Sequence, residues 1–166
     1  MKEISFALVA GVTALFLQTT FLGLFFPFAH KPDLVLVLVV WVSLRMTLVS
    51  GMTFTFIAGI LMDTLSGSPT GLFALVYCIV FVSCNYLNAT FEIDGLWGRA
   101  IAVCIASLFG AVVVLLTRWS GGPVGFGFDV VRWVLLKSII TGLASMVMIP
   151  LMDRFWGGYS RVVGLR

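Results

Sequence analysis

The stretch PDLVLVLVVWVSLR, Pro32 to Arg45, is apolar at every position from Val35 to Val42. A membrane-barrel strand would alternate apolar and polar residues with period two. A second run, ALVYCIVFV from Ala74 to Val82, is equally unbroken. Both therefore read as helices that are apolar around their whole circumference, as a buried helix or a membrane span is. The rest of the chain agrees, with 61% of its 166 residues hydrophobic and 10% charged. A soluble domain has about 45–50% and about 25%, so too few charges remain here to cover a water-facing surface. With a mean hydropathy of +1.16, lipid is the expected solvent.

Outward from these two runs, the fold class expected is an all-α integral membrane protein. It is a bundle of six transmembrane helices forming one domain over residues 1–166. The spans fall at about residues 4–26, 34–48, 51–65, 72–87, 100–116 and 130–152. The second is the shortest before a charge, and Arg45 at its end can snorkel to lengthen it. The first apolar stretch continues to about Ala29, past the roughly 7–15 residues of a signal-peptide core, so it reads as a retained span. Lys2, Arg45, Arg99, Arg154, Arg161 and Arg166 would share one side of the membrane. Lys31, Arg118, Arg132 and the deeper Lys137 would share the other, which places both termini in the cytoplasm. Trp97, Trp119, Trp133 and Trp156 fall near span ends, where aromatic belts sit.

The net charge of +3 is carried by scattered residues, which excludes the dense basic stripe that nucleic acid requires. Cys78, Cys84 and Cys104 all lie inside apolar runs without metal-ligand spacing and read as packing residues. His30 has no cysteine or acidic cluster around it. The chain also lacks a Ser–His–acid set, a phosphate loop and a haem motif. No catalytic, cofactor or metal residue is therefore assigned.

The richest segment is GILMDTLSGSPTGL, Gly59 to Leu72, where Gly59, Asp63, Gly67 and Gly71 recur every four residues. Small residues at that spacing let helices approach closely in lipid. A carboxylate inside a span is costly and takes a partner. Asp63 is thus either a structural ion pair or turn cap, or a contact for a partner or ligand. Lys137, at a similar depth in the sixth span, is its expected ion-pair partner. Asp33, after Pro32, stands at an N-cap. Arg45 and Arg132 read as interfacial snorkelers, and Gln18, Asn85 and Asn88 as interhelical hydrogen-bond formers.

The run from Pro32 to Tyr77 resembles the rod shape-determining protein MreD family. The shared features are Pro32 and Asp33 before an apolar span and Arg45 after it. Gly59 and Asp63 follow, with Ser66 and Gly67 in the turn leading to Gly71 and Leu72. Thr70 departs from the apolar residue expected there. The resemblance implies a non-enzymatic scaffold of the bacterial elongation machinery in the inner membrane. Its partners would be MreC directly, then MreB and the glycosyltransferase–transpeptidase pair of lateral wall synthesis. It also implies a fold similar to the substrate-binding subunits of energy-coupling-factor transporters. Membership of that second group, as a vitamin-binding subunit, is the alternative, and Ala10-x-x-x-Ala14 is similar to its docking motif.

Overall fold

The computed structural model describes residues 2–21, 32–66, 71–91, 95–120 and 128–163. Among these all regular secondary structure is helical. Helix α1 (Lys2–Phe16) continues into a π-helical turn, Leu17–Phe21. It is followed by α2 (Leu34–Arg45), α3 (Leu48–Ser66), α4 (Leu72–Phe91), α5 (Leu96–Ser120) and α6 (Phe128–Val163). Four of these, α3 to α6, are long and apolar enough to cross a membrane. Helix α1 and α2 are shorter apolar helices.

The boundary between the second and third spans differs from the expected one. Helix α2 ends at Arg45, where Met46 turns extended (φ −107°, ψ 159°), and α3 begins at Leu48. The N–H of Gly51 donates to the carbonyl of Thr47, so Gly51 lies inside the first turn of α3 rather than starting it. The Thr47 hydroxyl bonds that of Ser50 and holds this start together.

Helix α2 is the axis of the bundle. It packs against all five other helices, and every residue from Val35 to Ser43 is buried. Its 12 residues span about 18 Å, well short of the ~30 Å hydrocarbon core. Its all-round hydrophobicity is that of a core element with protein on every side. The outer helices face the other way, with large exposed apolar residues such as Val49, Leu75, Ile105 and Val147. The buried set, by contrast, includes Gln18, Asp33, Thr55, Asp63, Ser107, Ser138 and Thr141. Polar groups placed within a mainly apolar interior suit lipid, because in a bilayer they must find partners within the protein. Several hydroxyls do so locally: Ser138, Thr141 and Ser145 donate to carbonyls three or four residues back in α6.

Candidate functional site

Asp63, 2% exposed near the end of α3, reaches across to the start of α4. It accepts from the backbone N–H of Gly71 (2.9 Å) and Phe73 (2.8 Å), and at 3.4 Å from Ala74. Gly71 is the cap residue of α4, since its carbonyl takes the first helical bond, from Leu75. Its φ of +97° suits glycine, and glycine has no side chain with which to cap. Asp63 supplies that side chain from the neighbouring helix. The positive end of the α4 dipole balances its charge. Gly59, one turn earlier, makes the reach possible: a Cβ there would run into the Ala74 backbone. The spacing of Gly59 and Asp63 is thus one device, a close approach followed by a cap. Ser66 ends α3 and Leu72 begins α4, while Gly67 lies outside the described residues.

Asp33 does comparable work for α2. Its carboxylate accepts from the N–H of Leu36 (3.0 Å) and from the Tyr77 hydroxyl of α4 (3.2 Å to each oxygen). The Gln18 side chain accepts from the N–H of Leu34 (3.0 Å) and Val35 (3.4 Å). The N–H of Asp33 donates to the Thr141 hydroxyl of α6. Buried Pro32 precedes it. The donors at the head of α2, which would be orphans in an apolar core, are therefore met by side chains from its own cap and from α1.

Beside Asp33 lies a cavity of about 60 Å³, whose polar lining is Asp33, Tyr77, Ser107, Trp133 and Lys137. The buried indole Nε1 of Trp133 has no partner among the described residues, and the Lys137 ammonium sits 5.8 Å from the centre of that ring. The expected Asp63–Lys137 pair is not among the ion pairs of the described residues. Asp63 has both oxygens on the backbone of α4, and Lys137 lines a cavity with Asp33 instead. Span depth alone put Lys137 near Asp63, and the packing of α6 beside α2 brings it to Asp33 instead.

At the opposite end of α2 a third acid, Asp153 of α6, gathers four donors. They are Trp41 Nε1 (2.8 Å), Arg45 Nε (3.1 Å), Arg45 Nη2 (3.0 Å) and Arg99 Nη1 (2.9 Å). This knot ties α2, α5 and α6. Arg45 is therefore half of a forked ion pair, in place of the free snorkeler expected. Phe6, Trp41 and Trp156 stack beside it at centroid distances of 5.2–6.0 Å, which brings in α1. Trp133 and Trp156 thus point into the protein, whereas Trp97 is 75% exposed. Sequence reasoning passed over Asp153, although a single acid between Met152 and Arg154 at the end of an apolar span was the available signal. Asn85 adds a bond from α4 to the Ser43 carbonyl (3.1 Å).

The family model for the rod shape-determining protein MreD matches residues 3–157. The chain belongs to the MreD family. The match extends well past the Pro32–Tyr77 motif and takes in Lys137 and Asp153, so both ends of the polar core lie within it. MreD proteins form a shape-determining family of membrane proteins, and this one is multi-pass, with a role in rod shape determination. No curated protein and no solved structure matches the chain. Of the MreD motif residues, Asp33 and Asp63 cap helices, Gly59 forms a helix–helix notch and Arg45 joins an ion pair. Among the described residues no three His, Cys, Asp or Glu side chains converge as a metal site would require.

Proposed function

We propose that this protein is a non-enzymatic scaffold of the elongation machinery. In this reading it crosses the bacterial inner membrane six times with both termini in the cytoplasm. It holds MreC directly, and through MreC it helps organise MreB and the glycosyltransferase–transpeptidase pair that builds lateral wall. Family membership over residues 3–157 is the observation that carries the reading. The geometry supports it chemically. Asp33, Asp63, Asp153, Arg45 and Arg99 are engaged in holding helices together, so the charged groups build a rigid body whose outer face is apolar. Such a body acts through helix contacts in the bilayer.

The test is depletion in a rod-shaped host together with co-purification. Rounded cells and recovery of MreC with the tagged protein are expected. Cells that keep their shape and width on depletion would remove the reading.

A further inference from the structure

The Asp153 knot is unbalanced in charge. Two guanidinium groups, Arg45 and Arg99, share a single carboxylate, and that carboxylate already accepts four donors. Among the described residues one positive charge is left over, and Arg154, the next residue along α6, is exposed and adds a second. Among the described residues Arg99 Nε is also buried with no partner. The Arg45 side chain is 41% exposed, so the excess charge has an open side. Two arginines held on one acid can also offer their remaining N–H groups to a phosphate, because guanidinium geometry suits phosphate oxygens.

The depth of the knot selects the kind of phosphate. Trp97, two residues before Arg99, is 75% exposed, and Tyr86 and Phe155 are also exposed. Exposed Trp and Tyr at the ends of apolar helices mark the headgroup level. The four helices that carry the apolar coat begin or end there. We propose that Arg45 and Arg99, bridged by Asp153, form a binding site for the phosphate of an anionic phospholipid headgroup, with Arg154 raising the local positive charge. The lipid tails would lie along the neighbouring apolar helix faces, and Asp153 keeps the two guanidinium groups in place when the site is empty.

The experiment is native mass spectrometry of the full chain released from vesicles containing phosphatidylglycerol and phosphatidylcholine in equal parts. Wild type retains phosphatidylglycerol over phosphatidylcholine. Arg45→Gln lowers that retention about fivefold, the effect of removing one basic residue near an anionic surface. Asp153→Asn raises it, because the amide keeps an acceptor oxygen and drops the competing charge. Arg154→Gln breaks none of the knot's bonds and lowers retention even where Arg45→Gln fails to fold. Inorganic phosphate is then added as a competitor. Displacement of the lipid assigns the site to the phosphate group alone, and retention against phosphate assigns it to the headgroup held with its tails. Equal retention of the two lipids by wild type overturns the proposal, as does retention unchanged across the three variants.

Discussion

Asp63 illustrates how an acid inside a span can serve the fold. Its carboxylate is buried with three backbone N–H groups on it, so truncation would leave those donors without partners in an apolar surround. Asp63→Ala is expected to cost about 1–3 kcal/mol, read as a shift in unfolding by SDS titration of purified protein. Asp63→Asn keeps one acceptor oxygen and should lose less. Equal loss in both would show that the negative charge itself is what the site needs. The acid's importance was legible in the sequence because an intramembrane carboxylate is expensive. Its partner was not: the donors are backbone groups 8 to 11 residues ahead, and no residue type advertises a backbone donor. Asp33 was easier, since a cap on its own helix is local and the Pro-Asp pair announces it. Asp153 escaped because its three partner residues stand 54 to 112 positions away.

At the scale of elements, α2 is where composition was ambiguous. A helix that is apolar all round suits both a lipid span and a buried core, and only its neighbours decide between them. They predict a sharp contrast between two apolar truncations. Leu38→Ala, at 0% exposure in α2, should cost about 2–5 kcal/mol by opening a cavity. Val147→Ala, 71% exposed on α6, should stay within about 0.5 kcal/mol. Thermal unfolding in one detergent compares them directly, and equal costs would mean that α2 is not the axis. The α3–α4 contact makes a second prediction. Gly59→Leu places a large side chain against the Ala74 backbone and should separate the pair, taking the Asp63 cap out of reach. Its loss should therefore equal or exceed that of Asp63→Ala, and combining the two changes should add little. The break between α2 and α3 was misplaced in the sequence because no proline or glycine marks Met46 and Thr47, while Gly51 offered a false start.

For the whole molecule, six helices with short connections alternate in direction, so the chain should surface on alternate sides. Single cysteines at Thr47 and Gly95 belong to one end of the bundle, and one at Gly71 belongs to the other. In a variant lacking Cys78, Cys84 and Cys104, an impermeant maleimide applied to intact spheroplasts should label the Gly71→Cys protein. The Thr47→Cys and Gly95→Cys proteins should label only after lysis. Labelling of all three from outside would reject both the six-span path and the proposed orientation. The membrane class was readable from composition, and its helical form from the unbroken apolar runs Val35 to Val42 and Ala74 to Val82. The polar knots at the two ends of α2 were not, since each is assembled from three or more helices.

The long separations within those knots also set a schedule for making the protein. The N–H of Asp33 waits for Thr141, 108 residues later, and Arg45 waits equally long for Asp153. At roughly 5–20 residues per second, the ribosome needs about 5–20 s to deliver the last partners after the central helix has emerged. For that interval a 12-residue helix too short to settle in a bilayer by itself carries an unmet backbone N–H at one end and an unpaired arginine at the other. The axis of the finished molecule is thus its most vulnerable passage during birth, and the final helix closes it.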